Sequence, residues 1–114
     1  MKLVSFAFFS DPTPHPGLLV GDEIVDLAPL GVPDTIGTIA VGPVALRQAL
    51  EMPETSRIAL SGVRLLAPIP RPPHIFCVGL NYRDHAVESK MEIPKVPTIF
   101  LKLPSAVIGP EETV

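Results

Sequence analysis

The residues that could do chemistry are concentrated between positions 74 and 104, which hold His85, Glu88, Lys102 and the single cysteine, Cys77. His85 and Glu88 stand three residues apart, a spacing that puts both on one face of a helix, near enough for their side chains to meet. A carboxylate beside an imidazole orients the ring and favours its protonated form, which is the arrangement of a general base. Lys102 alternates with Phe100 and Thr98, so on a strand all three point to one side. A lysine beside an aromatic ring is expected to be partly desolvated and could stabilise a developing enolate or oxyanion. The bland readings are a solvated surface pair for His85–Glu88 and an edge-protecting cation for Lys102. Cys77 sits in an apolar run and reads as a small buried hydrophobe. The competing reading is a Cys77 nucleophile served by His85, although nothing nearby would depress the thiol.

These residues need elements to position them. Ile75–Val78 is a four-residue apolar run and reads as a buried strand closed by Gly79. Asn81 is the expected cap of a helix running from about Tyr82 to Ser89 or Lys90, with Asp84 in its first turn. Pro94 and Pro97 forbid its continuation, and a second strand covers Thr98–Lys102.

Upstream, Lys2–Phe9 reads as a strand, and Asp11–Gly17 as a turn enforced by Pro12, Pro14 and Pro16, with His15 exposed in it. Leu18–Val20 and Ile24–Leu27 flank Gly21-Asp22-Glu23 as a hairpin. Residues 28–42 are punctuated by Gly and Pro and carry no clear pattern. Gly42-Pro43 then opens a helix with Val44, Ala45, Leu46, Ala49 and Leu50 as its apolar stripe, ended at Pro53. Ile58–Leu60 and Val63–Leu66 are short apolar segments. Pro68-Ile69-Pro70-Arg71-Pro72-Pro73 is a stiff connector. The expected division is a small α+β domain over 1–67, a linker over 68–73, and a second domain from 74 to 114.

Composition bounds the partners. The chain has 114 residues, a formal net charge of −3 and 46% hydrophobic residues, enough for a mostly aliphatic core. No Lys/Arg cluster could track phosphates, so nucleic acid is not an expected partner. No apolar run approaches the roughly 20 residues needed to span a bilayer. The N-terminal stretch alternates like a strand and lacks the longer apolar core of a signal peptide, so the cytoplasm is the expected compartment.

The string Ile75-Phe76-Cys77-Val78-Gly79-Leu80-Asn81-Tyr82-Arg83-Asp84-His85-Ala86-Val87-Glu88, followed by Pro97-Thr98-Ile99-Phe100-Leu101-Lys102, resembles the fumarylacetoacetate hydrolase family. The resemblance implies a strand-rich α+β fold in which the small hairpin-plus-helix domain precedes the start of a mixed β-sandwich roll. It also implies hydrolysis, decarboxylation or isomerisation of small β-diketo or 2-oxo acids with Mg²⁺ or Mn²⁺, in a homodimer. By the same resemblance His85 and Glu88 form the water-activating dyad and Lys102 lies in the substrate pocket. Tyr82 and Arg83, inside the string, are the candidate substrate-binding pair.

The family's metal carboxylates lie downstream of the lysine strand, two of them as Glu-x-Glu on one strand face. Glu111 and Glu112 are adjacent and on a strand would diverge, so the metal ligands are expected beyond Val114. The chain is therefore expected to be an incomplete fragment that self-associates if it folds alone. The competing function is a non-catalytic interaction module built on residues 1–67.

Overall fold

The structure is a computed structural model that describes residues 2–51, 53, 57–110 and 112–113, with nothing said of the side chains of Val41 and Ala45. The elements in order are β1 (Lys2–Phe8), β2 (Asp11–Val20), β3 (Glu23–Asp26), α1 (Thr35–Leu50), β4 (Arg57–Ala59), β5 (Val63–Leu66), β6 (Ile75–Gly79), α2 (Arg83–Glu88) and β7 (Thr98–Lys102). The chain is strand-rich α+β. It divides into two compact units, Met1–Pro70 with Val107–Val114, and Arg71–Ala106.

The first unit is a five-stranded antiparallel sheet in the order β4-β3-β2-β1-β5. Alternation along the strands produces two apolar faces. Leu18, Val25 and Leu27 gather with Ala49 of α1, joined by Leu46 and Leu50. On the other parity, Phe6, Ile24 and Val63 gather with Val4, Phe8 and Leu19. The β2–β3 hairpin forms with a two-residue turn, Val20 pairing with Glu23, and Gly21 takes φ +59°, the left-handed value a tight hairpin turn gives to glycine.

The Pro-rich stretch Asp11–Gly17, expected as a turn, is the first half of β2 instead. Pro12, Pro14 and Pro16 alternate, so their missing donors all face one side. The Pro16 carbonyl accepts from Leu27 N at 3.0 Å, which puts that side away from β1 and toward β3. Pairing with β3 starts only at Gly17, so none of the three prolines interrupts a ladder. Because this stretch is strand, His15 is not an exposed turn residue. It stacks on Phe6 at 5.4 Å and meets Phe8 edge-on at 5.3 Å, with Nδ1 3.9 Å from Asp26 Oδ2.

The helix expected from Pro43 is the second half of α1. At Gly42 the backbone leaves helical geometry (φ 78°, ψ 177°), and Pro43 opens the following segment, where its absent N–H costs nothing. The first half was hidden among glycines. Asp34 begins it, its carboxylate accepting from Gly37 N at 2.7 Å. Leu46, Ala49 and Leu50 form the buried stripe at helical spacing. Val44 is exposed, because it precedes Leu46 by two residues and so projects about 200° away.

In the second unit β6 and β7 form a two-stranded antiparallel sheet, with Phe76 opposite Leu101 and Val78 opposite Ile99. Ala86 of α2 is its one buried side chain among the described residues.

Candidate functional site

The segment that carries the candidate residues runs from strand to helix to strand within the second unit. Leu80 leaves β6 with φ +48°, and Tyr82, extended at φ −112° and ψ 130°, takes the cap position of α2 without a side-chain hydrogen bond. Asn81, expected as the cap, stands one residue too early. Asp84 is in the first turn as its spacing predicts. The helix is ended by its own backbone rather than by Pro94. Met91 N donates to Ala86 O at 2.9 Å and Lys90 N to Val87 O at 3.1 Å, with Lys90 left-handed at φ +52°. That is the paired 6→1 and 5→2 closure that usually employs glycine.

His85 and Glu88 lie on the same side of α2, and both are exposed. Among the described residues no hydrogen bond and no ion pair within 4.0 Å joins them. Lys102 ends β7 opposite Ile75, on the parity of Phe100 and Thr98. The desolvation expected for it is absent, because every residue of β7 is exposed and Phe100 alone does not shield its neighbour. Cys77 is half-buried rather than fully buried, since the open hairpin leaves its face incompletely covered. No hydrogen bond joins it to His85 among the described residues. Tyr82 is exposed.

Arg83 is placed differently from the rest. It lines an open cleft of about 350 Å³ together with Asn81 and Lys95, and His85, Glu88, Lys102 and Tyr82 are not among the residues around it. Lys95 was not a candidate from the sequence. Its signal was the bracketing by Pro94 and Pro97, which reads as a helix stop but also builds a rigid wall.

A divalent metal of the kind the resemblance implies needs several hard oxygen or imidazole donors converging on one point. Among the described residues no group of three His, Cys, Asp or Glu side chains stands together. Glu112 accepts from Gly109 N at 2.8 Å within its own turn, and Glu111 lies outside the described residues. The residues described do not fit the metal.

Comparison with known proteins adds the following. Residues 74–114 match the family model described as fumarylacetoacetate (FAA) hydrolase C-terminal. The whole chain aligns at 36% identity with the mitochondrial oxaloacetate tautomerase fahd2 of Xenopus laevis, covering 38% of that protein. It aligns at 35% with the mitochondrial oxaloacetate tautomerase FAHD2A of Homo sapiens, again over 100% of this chain and 38% of the relative. The chain thus spans less than two-fifths of the length of these relatives. Among solved structures, an HpcE protein from Mycobacterium smegmatis superposes with a TM-score of 0.76 at 32% identity, over 100% of this chain and 40% of that one. Maleylpyruvate hydrolase from Sphingobium sp. SYK-6, crystallised with manganese (II) and pyruvate, superposes with a TM-score of 0.61 at 30% identity, over 95% of this chain and 39% of that one.

Proposed function

We propose, for a chain that belongs to the fumarylacetoacetate hydrolase family, that it carries the proton-handling residues of an enzyme acting on small 2-oxo and β-diketo acids. The observation that carries this reading is the placement of His85 and Glu88 on one solvent-facing side of α2, inside the matched segment. Relatives are named for tautomerisation of oxaloacetate and hydrolysis of maleylpyruvate, and either chemistry calls for a base that moves a proton. His85 is the base. In hydrolysis its imidazole takes a proton from the attacking water, and in tautomerisation it takes one from the carbon next to the ketone. Glu88 is the carboxylate that stabilises the resulting imidazolium. Lys102 offers an ammonium to the enolate oxygen. In solution His85 and Glu88 close on each other when substrate orders the helix face, since catalytic hydrogen bonds are often long before substrate binds.

Mg²⁺ or Mn²⁺ is the cofactor the family implies, and manganese accompanies the maleylpyruvate hydrolase neighbour. No step is assigned to it, because the described residues do not assemble its donors. The reading also keeps Tyr82 beside the substrate, a homodimer as the assembly and the cytoplasm as the compartment. It keeps residues 1–67 as a domain distinct from the catalytic start at 74. The word mitochondrial belongs to the relatives' names.

The test is turnover of oxaloacetate and of an acylpyruvate by the 114-residue chain with Mg²⁺ or Mn²⁺, with and without chelator. Among the described residues no metal donors assemble, so little turnover by the chain alone is expected, and any metal-dependent rate is expected to fall by about 10²- to 10⁴-fold in His85→Ala. A folded chain that turns over neither acid would be an inactive portion of the family's enzyme, and metal-dependent turnover that His85→Ala leaves unchanged would overturn the reading.

A further inference from the structure

We propose that His15 and Asp26 form a proton-operated latch, which holds the proline half of β2 against the end of β3 when the imidazole is charged and slackens when it is neutral. Between Asp11 and Pro16, β2 has β1 on one side and, among the described residues, no strand on the other, since pairing with β3 begins at Gly17. The β1 side is itself irregular, because the register shifts between Phe6 and Phe8. Among the described residues two polar contacts tie this half-strand to the β3 side. Leu27 N donates to Pro16 O at 3.0 Å, and His15 Nδ1 approaches Asp26 Oδ2 at 3.9 Å. The first contact is present at any pH. Only the second depends on a side-chain proton.

Both partners are held in place by their surroundings. Asp26 stands opposite Gly17, so His15 is its diagonal neighbour on the same sheet face, and the glycine puts no side chain between them. The carboxylate is aimed: Oδ1 accepts from Ala28 N at 2.9 Å, which leaves Oδ2 for the ring. The ring is aimed as well, stacked on the fully buried Phe6 at 5.4 Å and met edge-on by Phe8 at 5.3 Å. The face of a phenyl ring carries negative charge and attracts a cation stacked on it. Only 24% of the His15 side chain and 20% of the Asp26 side chain are exposed, so salt screens this pair less than a pair on an open surface.

The other charge that reaches the ring is Asp11 of the same strand, itself bonded by Thr13 N. Lys2 is at the far end of β1, opposite Leu19. Arg64 and Arg57 pair with Ala7 and Val25 on the opposite parity, where Arg57 is bonded to Glu23. Among the described residues no other cation lies within 4.0 Å of Asp26. An ordinary imidazole sheds its proton between about pH 5 and pH 8, where ordinary carboxylates stay ionised. The attraction is therefore complete at the acid end of that range and is lost as pH rises through it. What slackens is the half-strand, because Gly17–Val20 keep a strand on both sides.

The experiment is backbone amide exchange of the 114-residue chain at the two ends of the imidazole range, about pH 5.5 and about pH 8, corrected for the intrinsic exchange rate. Phe6 and His15, opposite each other in the ladder, report on the half-strand, and Leu18 and Val25 are the internal reference. Protection at Phe6 and His15 is expected to be about threefold higher at the acid end, with the reference unchanged. The difference should vanish in Asp26→Asn, whose amide oxygen still accepts from Ala28 N, and in His15→Phe, which keeps a ring between Phe6 and Phe8. It should survive in Asp11→Asn. Equal protection at both ends in the parent chain would overturn the proposal, as would a difference that Asp26→Asn leaves in place. A loss in Asp11→Asn alone would overturn the choice of partner, and an equal change at Leu18 and Val25 would overturn the local latch. The turnover assay has no bearing on any of these outcomes.

Discussion

Gly17 of β2 lies so close to Ile24 of β3 that a Cβ built on it would stand 2.6 Å from Ile24 Cγ2 and 3.0 Å from the ring of Phe6. Both neighbours are fully buried and belong to one packed cluster with Val63. Neither can swing out without exposing its own apolar surface. Gly17→Ala is therefore expected to overpack the sheet and destabilise the first unit by about 1–3 kcal/mol. Urea denaturation measures it, and an unchanged midpoint would show that Ile24 has room to turn.

Ser5 and Thr35 form the other tight joint of that unit. Their hydroxyls are hydrogen-bonded to each other, and Ser5 Oγ donates to Pro68 O at 2.8 Å. Both residues are buried, so removing either hydroxyl leaves a polar group without its partner. Ser5→Ala is expected to cost about 1–3 kcal/mol, with a similar loss in Thr35→Val. The two losses should not add, because each variant breaks the same bond. Thermal unfolding of both singles and the double closes the cycle, and strict additivity would argue against a shared bond.

The sequence made the hairpin, the Pro43 helix start and the β6–α2–β7 order legible because each rests on local chemistry: Gly21 in a tight turn, Pro at a helix start, apolar runs cut by Gly79 and Pro97. It misled at β2, where three prolines read as a turn. Whether a proline breaks a strand depends on which side its missing donor faces, and that is set by β1 and β3, not by the segment itself. The first half of α1 was lost among Gly31, Pro33 and Gly37, although Asp34 followed by Gly37 is a serviceable cap. At the candidate site the shared face of His85 and Glu88 followed from spacing. The exposure of Lys102 did not, because desolvation depends on what covers β7, and one aromatic neighbour covers little. Lys95 was invisible, and Asn81 was read only as a cap, because the cleft brings residues 93–97 beside residues 78–83, which no periodicity encodes.

Acid sensitivity has one identifiable contributor at the β1–β2 turn. The backbone N–H of Thr13 donates to Asp11 Oδ1 at 2.9 Å, and with the Thr13 hydroxyl it holds the carboxyl below its ordinary value. A depressed folded value means that the contribution to stability is present above the unfolded value, about 3.9, and is lost as pH falls through the folded one. In Asp11→Asn this part of the acid limb is expected to vanish. The parent and variant stabilities, followed between about pH 6 and pH 2, should converge toward the acid end. A gap that stays constant with pH would assign the effect to packing instead of charge.

Lys90 occupies a position that suits glycine. Its φ of +52° closes α2 through the bonds from Lys90 N and Met91 N, and a side chain there carries a steric penalty that glycine escapes. Glycine's greater freedom in the unfolded chain offsets part of the gain. Lys90→Gly is expected to stabilise α2 by about 0.5–1 kcal/mol net. Slower amide exchange at Ser89, Lys90 and Met91 would register it. Faster exchange would mean that the lysine makes a contact worth more than its strain.

The last prediction concerns association. Phe76 and Val78 of β6 pair with Leu101 and Ile99 of β7, so the four form one uncharged square on a single face of the hairpin. They are 70%, 46%, 64% and 64% exposed in that order. A two-stranded sheet is marginal in water without a cover, and among the described residues the outer edge of each strand is unpaired. The 114-residue chain is therefore expected to associate as its concentration rises. Placing a charge in the square, as Ile99→Lys or Leu101→Lys, should raise the concentration needed at least tenfold, about 1.4 kcal/mol. Ser89→Lys, a polar exchange at the exposed residue that follows α2, should leave it where it was. Multi-angle light scattering across a concentration series reads all three. A monomer at every concentration in the parent chain would mean that this square is covered from within the chain in solution.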